Sequence, residues 1–294
     1  MSVPAGAEIE HVSDTALWVA NYRALESRRS DALFHDPLAE ILAGERGQRI
    51  ARRLQNEAVM AWAIALRTRI MDELIAAAIA QGVKLALNLG AGLDARPYRM
   101  DLPASLDWVE VDYPHMVEFK EERLRGATPR CHLERISLDL TDLAARRELF
   151  ASLGRRAAPV LVLTEGVTPY LSNEEVASLA DDLRRQENFN FWVLDYHASA
   201  AAIRFGRQRI KRQMRKAPFR FQPPDWKSFF ASHGWQVNEM RYYSEEGDRL
   251  NRPLRLPWRY KVLKLFITKK REQMLRRMAG VALLSRADCS SSPK

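Results

Sequence analysis

The sequence contains few cysteines and no long hydrophobic segment. Its two cysteines, Cys131 and Cys289, lie far apart and match no metal-ligand spacing, so we expect free thiols and no metal site. No apolar run approaches the ~20 residues that cross a bilayer. The amino-terminal stretch MSVPAGAEIEHVSD also lacks a basic segment followed by an apolar core. The sequence therefore predicts a cytoplasmic protein without a transmembrane segment or a secretory signal.

Positive charge exceeds negative charge along the chain. The 46 lysines and arginines outnumber the 37 acidic residues, which gives a net charge of +9. Basic residues are concentrated in Arg204–Arg220 and Arg249–Arg277, and Trp258–Gly280 also has apolar residues at helical spacing. Such segments occur in proteins that bind nucleic acid or anionic membranes, and they also occur as solvated helix faces. We favour the solvated face and expect no nucleic-acid partner.

Three helices are predicted before the first strand. The first spans Thr15–Glu26, with Asp14 as its N-cap. The second spans His35–Gly44 and ends at the glycine. The third is long and runs from about Gly47 to Ala80, with an apolar face in its later part.

Five apolar segments then alternate with helical patterns, which is typical of a parallel sheet with helices on both faces. The fourth segment is continuously apolar, as expected for a strand that is covered on both sides. The helix after it begins at Ser172, which forms a capping-box pattern with Glu175. The five predicted strands are Lys84–Gly90, Asp107–Tyr113, His132–Leu140, Ala158–Gly166 and Asn188–Tyr196.

The alternation becomes less regular after Tyr196. A basic helix is predicted over about 198–216, and another helix ends at Gly234. Two further strands are predicted at Trp235–Tyr243 and Val281–Ala287, which brings the total to seven.

The whole pattern predicts a doubly wound α/β fold with a mostly parallel sheet. We expect one domain with three parts. Residues 1–80 form a helical cap, residues 83–197 form the cofactor-binding core, and residues 198–294 contain a helical insertion and the last strands. The cap and the insertion are expected to form a lid over the site.

The segment LALNLGAGLDARPYR, Leu85–Arg99, passes from an apolar strand into a glycine turn. Gly90 and Gly92, with Ala91 between them, allow the backbone to approach a ligand closely. A dinucleotide fingerprint has a third glycine three residues later, where this chain has Ala95. The turn predicts a nucleotide-type cofactor and leaves its identity open.

Acidic residues follow the next two strands, at the edge where a doubly wound sheet binds its ligand. Asp112 stands about twenty residues after the glycine turn, where a carboxylate accepts hydrogen bonds from ribose hydroxyls. Asp139 and Leu140 offer a hydrogen-bond acceptor and an apolar wall to an adenine. Alternatively, Asp139 caps the next helix, a role for which Asp142 competes. This set fits both a nicotinamide dinucleotide and S-adenosylmethionine.

Asp94 distinguishes these two cofactors. An acid in the glycine turn disfavours a pyrophosphate, which binds bare backbone amides at a helix N-terminus. It is compatible with a cofactor that carries an ammonium and a sulfonium. An NAD(P)-dependent oxidoreductase therefore remains the second interpretation, and no Tyr–Lys proton-transfer pair is recognisable to support it.

The order of these motifs resembles the leucine carboxyl methyltransferase family, and within it the bacterial polyketide-type O-methyltransferases. The resemblance covers roughly Leu17–His197, with the motifs in order and at the family's spacing. The chain departs from the family at Ala95 and Thr168, where threonine and leucine are frequent, and neither position is a chemical ligand. The matching segments are Tyr22–Ser27, His35–Pro37, Arg67–Ile75, Asn88–Arg99, Val109–Pro114, Leu138–Leu140 and Thr164–Glu175.

The resemblance implies a class I S-adenosylmethionine-dependent methyltransferase with a Rossmann-like sheet. It implies that Arg67 binds the methionine carboxylate, with Arg69 as the alternative, because arginine binds carboxylates in a bidentate manner. It also implies that Arg23 closes over the site. The other implied cofactor contacts are Gly90, Ala91, Gly92, Asp112, Tyr113, Asp139, Leu140, Glu165 and Gly166.

An oxygen atom of a small molecule is the expected methyl acceptor. A carboxylate is already ionised at neutral pH and needs only a positioning group, for which Tyr170 and Arg23 are the candidates. A phenol has a pKa of ~10 and needs a base, for which His115 and His197 are the candidates. The sequence favours the carboxylate and leaves the phenol open.

Aromatic residues of the expected lid would suit a hydrophobic acceptor. The sequence thus predicts an O-methyltransferase of secondary metabolism that acts, as a monomer or homodimer, on a small molecule. The aromatic residues expected to line its pocket are Trp18, Tyr22, Phe205, Phe219, Phe221 and Trp226.

Overall fold

The computed structural model describes residues 13–53, 57–198, 219–254 and 268–287. Its strands are β1 (Leu85–Leu89), β2 (Asp107–Asp112), β3 (His132–Ser137), β4 (Val160–Thr164), β5 (Phe189–His197), β6 (Trp235–Tyr242) and β7 (Ala279–Arg286). They form one sheet in the order β3-β2-β1-β4-β5-β7-β6. Neighbouring strands are parallel except at β7, which runs antiparallel to both β5 and β6. The predicted seven-stranded, mostly parallel sheet is confirmed.

Helices precede the sheet and connect its strands. A short 3₁₀ turn, Thr168–Tyr170, follows β4. The α-helices are α1 (Asp14–Ser27), α2 (Ala39–Arg53), α3 (Glu57–Ala80), α4 (Arg96–Arg99), α5 (Pro114–Arg123), α6 (Leu143–Arg156), α7 (Asn173–Arg184), α8 (Trp226–Ser232), α9 (Tyr243–Arg249) and α10 (Lys269–Arg276).

Both faces of the sheet are covered by helices, because successive residues of a strand point to opposite faces. Leu87 of β1 lies in a buried cluster with Phe150 of α6 and Leu179 of α7. Its neighbour Ala86 lies in a second cluster with Ile70 of α3. All five residues of β1 are buried, and so are all five of β4. The sheet is therefore doubly wound, and the apolar run of β4 is covered on both faces, as the sequence predicted.

The first two helices pack against each other and, together with part of α5, form a third cluster. Trp18, Tyr22 and Leu42 are buried in it. The prediction that Asp14 caps α1 is wrong, because Asp14 is the first helical residue and pairs instead with Arg46 at 2.8 Å. An acid in the first turn still interacts favourably with the helix dipole.

The predicted helix boundaries differ from the structure at several points, among them the start of α2, which lies at Ala39 and not at His35. The helix expected to end at Gly44 continues as α2, but it is interrupted there, because Gly44 has non-helical backbone angles (φ 55°, ψ −172°). The helix expected over Gly47–Ala80 corresponds to the second half of α2 and to α3, and residues 54–56 lie outside the described ranges. The capping box at the start of α7 is confirmed, since Ser172 and Glu175 bond to each other's backbone nitrogens.

Some predictions concern residues that lie outside the described ranges. These are the basic helix over 198–216, Phe205 and Cys289. Within the described ranges, the helices are all too short or too polar to cross a membrane. The same ranges contain no group of three or more side chains arranged to hold a metal ion. Cys131 is buried and carries a free thiol.

Candidate active site

A cavity of about 410 Å³ opens at the carboxyl ends of β1, β2, β3 and β4. This volume suits a small-molecule ligand or cofactor. The glycine turn after β1 forms one wall, and α1 lies over it through Thr15, Ala16, Trp18 and Val19. All of the predicted site residues line the cavity, namely Arg23, Arg67, Gly90, Ala91, Gly92, Asp112, Tyr113, Asp139, Leu140, Glu165, Gly166 and Tyr170.

The glycine turn requires a glycine at position 90. The φ angle of Gly90 is +64°, and a Cβ atom there would lie 2.5 Å from Cγ2 of Val167, in the turn after β4. The N–H groups of Gly90 and Ala91 donate to the carbonyl of Val111, at 2.8 and 3.2 Å. The turn is therefore fastened to the end of β2 and packed tightly against the end of β4.

Asp112 connects the end of β2 to this turn. Its Oδ2 accepts a hydrogen bond from the N–H of Gly92 at 2.6 Å, and its Oδ1 accepts one from the N–H of Tyr113 at 2.7 Å. Each carboxylate oxygen keeps a second lone pair for a ligand. Burial raises the pKa of Asp112. Next to it, the Tyr113 ring stacks on His115 at 5.7 Å between ring centroids.

The end of β3 provides Asp139 and Leu140. Asp139 is exposed, and its Oδ1 accepts hydrogen bonds from the N–H and the hydroxyl of Thr141, at 2.9 and 2.8 Å. Asp142 is the N-cap of α6 and accepts from the N–H groups of two residues in its first turn. The alternative that Asp139 caps this helix is therefore wrong, and its carboxylate remains at the rim of the cavity.

Glu165, directly after β4, lies between two arginines. Its Oε1 is 2.9 Å from Nε of Arg67, and its Oε2 is 2.7 Å from Nη1 of Arg96. Burial disfavours the ionised form of Glu165, but Arg96 and Arg67 outweigh it and hold the pKa of this carboxyl below its usual value. The cavity thus contains an ionised acid and an arginine in contact with each other.

Arg67 and Arg69 lie in different environments, although they are two residues apart on α3. Arg67 lines the cavity, whereas Arg69 pairs with Glu73 at 2.7 Å and donates to the carbonyl of Leu33. Residues two positions apart in a helix point in different directions. Of the two candidates for a carboxylate ligand, only Arg67 reaches the cavity.

Asp94 does not present a free charge to a ligand, contrary to our expectation. Its side chain accepts hydrogen bonds from Nδ2 of Asn88, from the N–H of Arg96 and from Nη1 of Arg96. Burial disfavours its ionised form, but Arg96 outweighs this and lowers its pKa. Hydrogen bonds within the protein already occupy the carboxylate. Asp94 therefore distinguishes less between the two cofactors than its position in the sequence suggested.

Two buried charged residues, neither of them predicted from the sequence, bond to residues that line the cavity. Arg96 is 2% exposed and bonds to Asp72, Asp94 and Glu165. Asp195, at the end of β5, accepts a hydrogen bond from the N–H of Gly166. The only signal in the sequence was their position, one in the glycine-turn motif and one at the end of an apolar strand.

Tyr170 and Arg23 were the candidates for positioning the acceptor. The Tyr170 hydroxyl bonds to Thr15, and burial raises the pKa of Tyr170 to about 12, so it remains a proton donor at neutral pH. Arg23 is 5% exposed, donates to the carbonyl of Leu93 and pairs with Asp36 at 2.9 Å. These contacts hold α1 to the glycine turn, and a role for Arg23 at the acceptor stays a prediction.

The two histidine candidates differ in their surroundings. His115 is exposed and bonds to the hydroxyl of Ser13 at 3.0 Å. His197, at the end of β5, is partly buried and packs on Phe219, with 5.4 Å between ring centroids. Burial lowers the pKa of His197, although the nearby Asp195 opposes this. A neutral imidazole at neutral pH follows from that shift.

The aromatic residues expected around the acceptor divide between the cavity and the core. Trp18 lines the cavity, and Phe219 packs on Tyr170 beside it, at 5.4 Å between ring centroids. The prediction is wrong for three others, because they fill apolar clusters under the helices. These are Tyr22, buried between α1 and α2, and Phe221 and Trp226, which both pack on Phe230 of α8.

Four arginines of the basic segment Arg249–Arg277 are paired with acids. Such pairing reduces the positive potential that the segment can offer to a nucleic acid or a membrane. The pairs are Arg249–Glu246 and Arg277–Glu245, both at 2.7 Å, Arg252–Glu26 at 2.9 Å, and Arg276–Asp248.

The sequence is similar to a known protein family and to several bacterial proteins. The family model described as leucine carboxyl methyltransferase matches residues 16–184. A Streptomyces coelicolor protein, named as a candidate S-adenosyl-L-methionine-dependent methyltransferase, is 32% identical over 236 residues, which cover 76% of this chain and 83% of that protein. A similarly named Mycobacterium tuberculosis protein is 29% identical over 272 residues, which cover 83% and 86% of the two chains.

A solved structure also shares the fold. The crystal structure of a DUF574 family protein from Streptomyces avermitilis superimposes with a TM-score of 0.58 and 15% sequence identity. The match covers 92% of this chain and 97% of that one. The shared architecture therefore extends over nearly the whole of both proteins.

Proposed function

Because the chain belongs to the leucine carboxyl methyltransferase family, we propose that it transfers a methyl group from S-adenosyl-L-methionine to a carboxylate or phenolic oxygen of a hydrophobic small molecule. One observation carries this proposal: Asp112, Glu165 and Arg67 face a single cavity above the glycine turn. When bound, the cofactor supplies a methyl group on a positively charged sulfur. The chain's own residues hold and orient the two reactants and exclude water.

The residues around the cavity fit such a cofactor by their chemistry. The acids suit a ligand with ammonium and sulfonium groups, and the arginine suits its carboxylate. Gly166 has a φ angle of +68°, and a Cβ atom there would lie 3.7 Å from Nη1 of Arg67. The glycine thus leaves space in front of the guanidinium that a side chain would fill.

Each part of the cofactor has a candidate partner. Arg67 would hold the methionine carboxylate, and Glu165 would hold the ammonium. The free lone pairs of Asp112 would accept from the ribose hydroxyls. Asp139 would accept from the adenine amino group, and Leu140 would form an apolar wall beside the ring. The glycine turn, with Ala91 at its centre, would let the backbone lie directly against the cofactor.

Tyr170 and α1 form the acceptor side of the same cavity in this proposal. A carboxylate acceptor is ionised at neutral pH, so it requires orientation and no base. The hydroxyl of Tyr170 stays protonated, because burial raises its pKa to about 12, and it can donate a hydrogen bond to such an acceptor. Val19 of α1 and Val167 after β4 offer apolar contacts to its hydrocarbon part. A carboxylate therefore fits this side better than a phenol.

A screen for methyl transfer tests the proposal. The full chain is incubated with methyl-labelled S-adenosyl-L-methionine and a panel of aromatic acids, fatty acids and phenols, and products are identified by mass. We expect methyl esters or methyl ethers of hydrophobic acceptors. Methylation of a lysine-bearing peptide or of tRNA alone, with the whole small-molecule panel unmodified, would contradict the proposed acceptor class.

A further inference from the structure

Asp195 is a buried acid immediately behind the candidate site. It follows Leu194 of β5, which pairs in register with Thr164 of β4, so it stands beside the Glu165–Gly166 turn. Its side chain is only 1% exposed. Its Oδ2 accepts from the N–H of Gly166 at 2.5 Å, while its Oδ1 lies 3.8 Å from Nη1 of Arg67.

The Oδ1 atom of Asp195 makes no hydrogen bond of full geometry with the described residues, although the hydroxyl of Tyr243 on α9 lies within hydrogen-bonding reach of this carboxylate. Burying a carboxylate with incomplete hydrogen bonding is unfavourable unless a cation lies near it. The cation at hand is Arg67, which itself lines the cavity, whereas Asp195 does not reach the cavity. Any effect of Asp195 on a ligand must therefore pass through Arg67 or through the backbone of Gly166.

Arg67 lies between two carboxylates. Glu165 contacts its Nε atom at 2.9 Å, and Asp195 lies on its Nη1 side. Together they outweigh burial and raise the pKa of Arg67. A guanidinium has five N–H groups in a planar fork, so the Glu165 carboxylate beside Nε and the Asp195 charge on the Nη1 side favour one orientation of its plane and leave further N–H groups for a ligand.

We propose that Asp195 is a positioning residue that orients Arg67 and the Glu165–Gly166 turn toward the amino-acid end of the cofactor. This inference rests on the proposed function. The expected effect is local, because the proposed adenosine ligands are Asp112 at the end of β2 and Asp139 and Leu140 after β3, on the opposite side of β1 in the sheet. A change at Asp195 should therefore affect only ligands that carry the amino-acid group.

Two adenosine thioethers distinguish an effect at the amino-acid end of the site from an effect at the adenosine end. S-adenosylhomocysteine carries the amino-acid group, and 5′-methylthioadenosine lacks it. In Asp195→Asn an amide oxygen still accepts from Gly166, but the charge beside Arg67 is gone. We expect calorimetry to show about tenfold weaker binding of S-adenosylhomocysteine, the effect of losing one charged contact. The affinity for 5′-methylthioadenosine should stay within about twofold of wild type.

Asp182→Asn is the matched control. Asp182 is equally buried, at 1% side-chain exposure, and pairs with Arg146 and Arg147; these three side chains do not line the cavity, and Arg146 is connected to it only through the backbone carbonyl of Leu140. This variant should lower the melting temperature and leave both affinities unchanged. If Asp195→Asn lacks a cooperative melting transition, Asp195→Glu replaces it. Glutamate keeps the charge but displaces the carboxylate by one methylene, and the same difference between the two ligands is expected.

The outcomes are distinguishable. Equal weakening of both ligands by the Asp195 variant, or unchanged binding of S-adenosylhomocysteine, would overturn the positioning role while leaving the proposed function intact. Failure of the wild-type protein to bind S-adenosylhomocysteine would overturn the proposed function, and this inference with it.

Discussion

The Oδ2 atom of Asp112 lies 2.6 Å from the backbone nitrogen of Gly92, so the acid that ends β2 is bonded directly to the glycine turn that follows β1. Neighbouring parallel strands end at the same edge of the sheet, which brings residues twenty positions apart into contact. The contact gives Asp112 two functions. It shapes the turn, and in our proposal it also binds the ribose of the cofactor.

Asp112→Ala is expected to reduce affinity for S-adenosylhomocysteine by more than about tenfold, because a charged acceptor is lost. It should also lower the free energy of unfolding by roughly 1–3 kcal/mol, since the N–H groups of Gly92 and Tyr113 lose their acceptor. Calorimetry and denaturant unfolding measure the two effects. An unchanged affinity in a folded variant would show that β2 does not contribute to cofactor binding.

Gly90→Ala should close part of the cavity. The added Cβ would meet Cγ2 of Val167 at 2.5 Å, in addition to the roughly 1–2 kcal/mol cost of a left-handed backbone. Gly82→Ala is the control, because Gly82 also has a positive φ (+96°) but a Cβ added there would meet no atom of the described residues within 4 Å. We expect both variants to have a lower melting temperature than the wild type. Only Gly90→Ala should bind S-adenosylhomocysteine more weakly. Equal affinities in the two variants would argue against a cofactor contact at the turn.

Arg23→Ala tests whether Arg23 stabilises the fold or acts directly at the methyl acceptor. It removes the nearer cation of the buried Asp36, which keeps only Arg99, at 3.8 Å, and breaking a buried ion pair typically costs ~3–5 kcal/mol. Arg28→Ala is the matched control, because Arg28 pairs with Glu40 on the surface, where such pairs contribute about 0–1 kcal/mol. Denaturant unfolding compares the two. A fully stable Arg23→Ala with reduced methyl transfer would instead support a direct role at the acceptor.

The pH dependence of methyl transfer separates the two acceptor classes. A carboxylate stays ionised above its pKa of ~4, so its rate should be nearly constant from about pH 5 to 9. A phenol that relies on His197 loses its base as the imidazole is protonated. Because burial lowers the pKa of His197 below 6.5, that loss would appear only below pH 6.5. An acidic fall in rate that disappears in His197→Asn would contradict the carboxylate.

Much of the fold follows from local sequence patterns. The strand β4 is an apolar run, the start of α7 has a capping box, and glycines occupy the turn after β1, so each signal is contained in a few residues. The cavity edge also follows, because ligands lie at the carboxyl ends of parallel strands. For this reason the sequence predicts Asp112 and Asp139 at this edge, and the family resemblance adds Glu165.

Long-range pairing was not predictable in the same way. The sequence places Asp94 in the ligand turn, but it does not show that Arg96 and Asn88 satisfy its carboxylate. Nor does it distinguish an aromatic residue of the cavity, such as Trp18, from one of the core, such as Trp226, because both positions bury apolar surface. These outcomes depend on how separate elements pack, which a local pattern does not encode.

The most direct test of the account is a calorimetric titration of the purified full chain with S-adenosylhomocysteine and, separately, with NAD. We expect micromolar binding of S-adenosylhomocysteine at one site per chain and no heat of binding with NAD. Tight binding of NAD without any response to S-adenosylhomocysteine would contradict it.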